Sequence, residues 1–188
     1  MRPWLFGIGI GKTGGHSLAE ALRQMGITAK HIGHEVYHGR TVIGDKMRSN
    51  AKLGCNPVEG ITGFEAVVDA PTHQFFRELD EHNKDARFIL TYRPPDDCAL
   101  SWCRMIAANH QSVMPGWPSS YNEYYKQAVD HVDAVLRHFF GRPQKLLILD
   151  VRDNDETKWR LLAKFLQRPA PYHREYPRQF DHQTWQTK

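Results

Sequence analysis

The sequence predicts an α/β fold in three layers, a central parallel sheet flanked by helices, with residues 1–188 forming a single domain. Three observations carry this expectation. Short apolar runs alternate with segments of helical period, which is the signature of parallel strands joined by crossover helices. A glycine-rich loop directly follows the first apolar run. At 188 residues with 40% hydrophobic and 24% charged residues, the chain can bury one core and is too apolar for disorder.

Residues 5–10 read as a buried first strand. Leu18, Leu22 and Met25 then recur at helical spacing, and Gly26 is placed to stop that helix. Residues 66–69 read as a second strand, followed by a helix face formed by Phe75, Phe76 and Leu79. Residues 87–92 form a third strand that Pro94 and Pro95 end. Asp96 and Asp97 then sit near the positive end of the next helix dipole. A long helix is expected over 121–140, with Tyr125, Val129, Val132, Leu136 and Phe139 as its buried stripe, terminated by Gly141 and Pro143. Residues 145–149 form an apolar strand ending at Asp150. The pattern Asp153-x-x-Glu156 caps a last helix marked by Trp159, Leu162, Ala163 and Leu166. The proline-containing tail from Gln167 is expected on the surface. Residues 29–63 and 107–120 show no clear period, and long irregular segments of this kind often carry function.

Composition narrows the function. The formal charge of +4 favours acidic ligands but is too small to argue for nucleic acid, and the five tryptophans form no stacking stripe. The three cysteines, Cys55, Cys98 and Cys103, fit neither a disulfide framework nor a zinc site, so a cytoplasmic protein is expected. Cys98, Cys103 and Trp102 read most simply as helix residues packed in the core. No stretch approaches a membrane span, and the first ten residues lack the pattern of a signal peptide. His31, His34 and His38 match no zinc spacing, so no metal is expected.

The loop Gly7-Ile8-Gly9-Ile10-Gly11-Lys12-Thr13-Gly14-Gly15-His16-Ser17 lies between strand and helix, where backbone N–H groups and the helix dipole favour an anion. Lys12 adds a charge; Thr13 and Ser17 add hydroxyls. A glycine-rich packing turn would look the same in isolation. Gly9-x-Gly11-x-x-Gly14 matches the dinucleotide fingerprint formally but lacks the acidic residue about 20 positions on. An ATP-type P-loop requires glycine where Phe6 stands, although residues 147–150 resemble its metal-binding strand.

Lys-Thr-Gly-Gly-x-Ser-Leu after the first strand resembles the 5′-phosphosulfate loop of sulfotransferases that use 3′-phosphoadenosine 5′-phosphosulfate (PAPS). His16 departs from the threonine or serine usual there. Arg93 with Ser101 eight residues later, in Arg93-Pro94-Pro95-Asp96-Asp97-Cys98-Ala99-Leu100-Ser101, resembles the family's 3′-phosphate motif. Taken alone, Arg93 would read as a surface ion pair with Asp96 or Asp97. Residues 63–71, 76–79, 146–151 and the pattern from Trp159 to Arg178 are similar to a bacterial-type branch, so the resemblance covers essentially the whole chain. The arginine-lysine-glycine stretch of the cytosolic branch is absent.

The resemblance implies a P-loop-like fold and transfer of a sulfuryl group from PAPS to a hydroxyl or amine, leaving adenosine 3′,5′-bisphosphate, without a metal. It implies cofactor contacts from Gly11, Lys12, Thr13, Gly14, Gly15, His16, Ser17, Arg93 and Ser101. Lys12 is placed to stabilise the leaving oxygen. Asp69, at the carboxyl end of its strand, is the candidate base, with helix capping as the alternative role. His34, Glu35, Tyr37 and His110 are candidate acceptor contacts. The expected partner is a small-molecule or glycan acceptor, with no nucleic acid and no membrane, and a second copy of the chain as a candidate. An ATP-dependent small-molecule kinase and a non-catalytic nucleotide-binding module are the alternatives.

Overall fold

A computed structural model describes residues 3–33, 42–109, 118–171 and 174–178. The first strand, β1 (Leu5–Gly7), leads through the glycine loop into α1 (Gly15–Gln24) and β2 (Ala29–His31). Next come α2 (Val42–Lys52), β3 (Ala66–Val68), a 3₁₀ turn (Thr72–Gln74) and α3 (Phe76–His82). The chain continues through β4 (Arg87–Tyr92), α4 (Pro95–Asn109), α5 (Tyr121–His138), β5 (Leu146–Asp150) and α6 (Asp155–Leu166).

All strand pairings are parallel, in the order β2-β3-β1-β4-β5. Strand alternation builds the three layers. Leu5, Ala66, Val68, Ile89 and Leu149 face α1 and α6 through Leu18, Leu22, Trp159 and Leu162. Phe6, Val67, Phe88 and Leu90 face the opposite layer, where Met47 of α2, Phe76 and Leu79 of α3, Val135 of α5 and Phe139 just after it complete the core. A smaller cluster of Ile10, Cys98, Ala99, Trp102, Tyr124 and Ala128 joins α4 and α5 to the loop after β1.

Neighbouring β1 and β4 send their chains to opposite sides of the sheet, so the crevice beyond their carboxyl ends is a topological switch point, where open α/β sheets bind ligands. The expected α/β architecture is observed, with local corrections. The unassigned segment 29–63 contains β2 and α2. The buried stripe of α5 is Tyr124, Ala128 and Val135, continued by Phe139 at the C-cap, while Tyr125 and Leu136 are exposed. Tyr124 and Ala128 are claimed by α4, which the helical period alone does not reveal. The cap of α6 is Asn154, whose side chain accepts from Thr157 N at 2.8 Å, one residue later than the expected Asp153. Part of the tail is core: Tyr176 is buried against Trp159, whose indole donates to Arg174 O at 2.9 Å. Cys98 and Trp102 are buried as expected, whereas Cys103 is only half-buried.

Candidate active site

The loop after β1 is pinned against β4. Gly9 packs on Thr91 so closely that a side chain there would overlap it. The Thr13 hydroxyl donates to Ile10 O at 2.6 Å and meets the Thr91 hydroxyl at 2.8 Å. Since Thr13 has only one hydroxyl hydrogen, Thr91 is the donor in that second contact. The Thr13 hydroxyl is thus a buried latch between the loop and β4.

Beyond the latch the backbone turns sharply. Lys12 has φ +66° and Gly14 φ +92°, the left-handed region that glycine adopts freely and lysine rarely. The carbonyl of Gly11 accepts from the Tyr124 hydroxyl, and the Tyr124 ring stacks on Trp102 with centroids 4.7 Å apart. Trp102 is fixed in turn by donation to Pro118 O at 3.0 Å. No side chain caps α1 at its Gly14 N-cap, and the positive end of that helix lies at the loop.

Asp69 lies at the end of β3 with φ +78°. Its Oδ2 accepts from His31 Nε2 at 2.8 Å and its Oδ1 from Ala70 N at 2.6 Å. The His31 ring stacks on His16 with centroids 3.4 Å apart. Gly15 packs over the Asp69 carboxylate and His31, closely enough that an added Cβ would lie 3.1 Å from Asp69 Oδ2. No side chain caps the 3₁₀ turn that follows, so the Asp69 carboxylate does not serve as its cap. Burial alone would raise the Asp69 pKa. The hydrogen bond and charge of His31, the Ala70 N–H and nearby His73 outweigh burial and hold the carboxyl at about 2. Asp69 is therefore a carboxylate at neutral pH.

The ammonium of Lys12 makes no hydrogen bond among the described residues. Burial, then the charge of Arg93, lowers its pKa, while Asp69 and Cys98 pull the other way. Lys12 thus lies within electrostatic reach of both Asp69 and Arg93, which follow the strands neighbouring β1 at the carboxyl edge of the sheet. Arg93 makes no ion pair among the described residues, and Asp96 instead accepts from the Tyr121 hydroxyl at 2.5 Å. The surface ion pair expected of Arg93 in isolation is thus not formed. Ser101 is buried in the second turn of α4 and makes no hydrogen bond to Arg93 or to the loop. Burial pushes the Cys98 thiol up to about 12, which removes it as a nucleophile. His34, Glu35, Tyr37 and His110 lie outside the described residues.

Gly11, Lys12, Thr13, Gly14, Gly15, His16 and Ser17 therefore gather at the carboxyl end of β1, with Arg93 and Asp69 beyond the neighbouring strands. Sequence reasoning missed Thr91, Tyr124 and His31 at this site. Among the described residues, no group of three or more His, Cys, Asp or Glu is arranged to hold a metal ion, and no helix is long and apolar enough to cross a membrane.

Residues 5–143 match the sulfotransferase domain family. The chain belongs to that family. Its described core is similar to a solved sulfotransferase from Alicyclobacillus acidocaldarius, at TM-score 0.58 and 17% identity, over 96% of this chain and 87% of the other. A sugar kinase from Janibacter sp. HTCC2649 aligns at TM-score 0.49 and 13% identity, over 89% of this chain and 95% of that one. No curated protein matches it. The fold of this sulfotransferase is thus shared with the solved enzyme. Family membership makes the chain a transferase and implies a sulfate donor.

Proposed function

We propose that this sulfotransferase, as one domain in the cytoplasm, moves a sulfuryl group from PAPS to a hydroxyl or amine of an acceptor. The observation that carries the reading is the meeting of two cations, Lys12 and Arg93, at the switch point, where neither has a carboxylate within bonding distance among the described residues. Cations held close together and unneutralised suit a ligand with separated anionic groups. The donor set fits PAPS. The positive end of α1 and Lys12 suit its 5′-phosphosulfate, while Arg93 suits its 3′-phosphate, with Ser101 as a second donor.

Bound there, PAPS supplies a sulfuryl group on a phosphate leaving oxygen. Lys12 meets the charge that grows on that oxygen as its bond to sulfur breaks and the electron pair departs with it. Asp69 accepts a hydrogen bond from the acceptor and takes its proton as the new bond to sulfur forms. A carboxylate held at about 2 binds a proton weakly, so transfer to Asp69 comes late, once bonding to sulfur has acidified the acceptor. Orientation of the acceptor is therefore the main task of Asp69, and His31 fixes the carboxylate that performs it.

The kinase reading is weaker because Asp150, where a kinase strand would present its metal-binding carboxylate, is bound by Arg152 at 2.6 Å. The test uses melting curves in the presence of chelator. Adenosine 3′,5′-bisphosphate at about 100 times its dissociation constant should stabilise the fold by roughly 2.7 kcal/mol. A shift with ATP and Mg²⁺ but none with the bisphosphate would transfer the assignment to a kinase. Bisphosphate binding without release of sulfate from labelled PAPS, with any acceptor, would leave a binding module.

A further inference from the structure

Among the described residues His31 is the one side chain that bonds Asp69, its Nε2 donating to Oδ2 at 2.8 Å. Lys12 and His73 act on the carboxylate through charge alone. Two glycines close the same oxygen off: a Cβ added to Gly33 would lie 2.8 Å from Oδ2, and one added to Gly15 would lie 3.1 Å from it. Oδ2 is thus committed to His31. The lone pair of Oδ1 that Ala70 N does not use is the one left for an acceptor, and where it points depends on where the His31 ring sits.

The strand that carries His31 does little to fix that ring. β2 is three residues long and stands at the edge of the sheet, paired with β3 alone. Its neighbours hold the ring instead. The Gly15 and Gly33 backbones press on its Nε2–Cε1 edge, where added Cβ atoms would lie 3.2 Å from Nε2 and 3.1 Å from Cε1 respectively. His16 covers one face, with ring centroids 3.4 Å apart and planes inclined by 27°. His16 belongs to the first turn of α1, in the loop assigned to the donor. The threonine or serine of the resembled motif has no flat face to offer at this position.

We propose that His16 is a positioning residue for the acceptor half of the site: by stacking on His31 it holds the hydrogen bond that orients Asp69. The donor loop then contributes twice, once through the groups that meet the donor and once through a ring that sets the acceptor carboxylate. The proposal rests on the sulfotransferase reading above, in which Asp69 meets the acceptor.

Hydrogen exchange of the His31 Nε2–H, followed by heteronuclear NMR near neutral pH, tests it. The Trp159 indole N–H, which donates to Arg174 O at 2.9 Å away from this cluster, serves as internal reference. In the parent the Nε2–H should exchange slowly, and Asp69→Asn should speed it, which ties the signal to the Asp69 bond. His16→Thr should speed it roughly threefold to tenfold, the worth of one ring pair, while the Trp159 N–H stays within a factor of about two of the parent. His16→Phe, which keeps a flat ring, should restore slow exchange. If His16→Thr does not fold, His16→Leu, of similar bulk but without a flat ring, takes its place. Exchange in the ringless variant within a factor of about two of the parent, equal acceleration of the Trp159 reference, equal acceleration by His16→Phe, or no slowly exchanging Nε2–H in the parent would overturn the proposal. Failure of the underlying reading shows separately, as failure of the parent to bind adenosine 3′,5′-bisphosphate whatever the exchange rate at His31.

Discussion

Replacing Gly9 by alanine tests the idea that the loop is held by contact with β4 and not by glycine content alone. The new Cβ would lie 2.5 Å from Thr13 Oγ1, 2.8 Å from the carbonyl oxygen of Thr91, and closer still to Thr91 Oγ1. Turning the Thr91 side chain relieves only one of these overlaps, because the carbonyl belongs to β4 and is held in the sheet. The loop must move. Overpacking of this kind costs about 1–3 kcal/mol, and loss of the Thr13 hydroxyl bond adds roughly 0.5–1.5 kcal/mol. Gly9→Ala should therefore lose about 2–4 kcal/mol in urea unfolding. The loop carries Lys12, so bisphosphate affinity should fall in the same variant. Thr91→Ala in the Gly9→Ala background removes the Thr91 Oγ1 overlap but keeps the carbonyl one, so it should recover part of the loss and show coupling between the two sites. A Gly9→Ala protein within about 0.5 kcal/mol of the parent, with unchanged bisphosphate affinity, would refute the pinned-loop account.

Three other outcomes follow from the same geometry. Lys12→Met should cut PAPS turnover by about 10² or more, with a smaller effect on bisphosphate affinity; slow PAPS hydrolysis provides the assay, and parental turnover would remove Lys12 from the chemistry. Arg93→Ala should weaken adenosine 3′,5′-bisphosphate by about 1.5–3 kcal/mol and adenosine 5′-phosphosulfate much less in calorimetric titrations, and equal losses would make Arg93 structural. Asp69, depressed from 3.8 to about 2, contributes stability that is present above the unfolded value and lost as pH falls through the folded one. The unfolding free energies of parent and Asp69→Asn should accordingly differ by about 2 kcal/mol at pH 7 and converge between about pH 4 and pH 2; a difference that does not change with pH would mean that the His31 contact holds no charge.

Much of the frame was legible because strands and helices here obey local rules. Residues 87–92 are apolar, β-rich and closed by prolines, and β4 occupies that span. Gly26 and Gly141 adopt positive φ just beyond α1 and α5, where the sequence places the helix stops. β2 was not legible, because three residues with Lys30 at the centre carry too little periodic signal and their strand character comes from pairing with β3. The stripe of α5 was misplaced for a related reason. Its spacing alone admits more than one face, and contact with Trp102 and Ile10 selects the one carrying Tyr124 and Ala128.

The site divides in the same way. The placement of Asp69 and Arg93 was legible because each directly follows a strand, and that of Lys12 because the glycine loop after β1 carries it; a parallel sheet brings such positions to one edge whatever the intervening sequence. The groups that hold them were not, since Thr91, Tyr124 and His31 become neighbours only through register and packing. His16 joins the two classes. As a departure from the threonine or serine of the resembled motif it looks like a lost hydroxyl donor, yet its ring stacks on His31, which bonds the Asp69 carboxylate. One substitution in the loop is therefore matched by a histidine on β2, and the residue that looks like a defect in the motif physically connects the donor loop to the residue proposed to orient the acceptor.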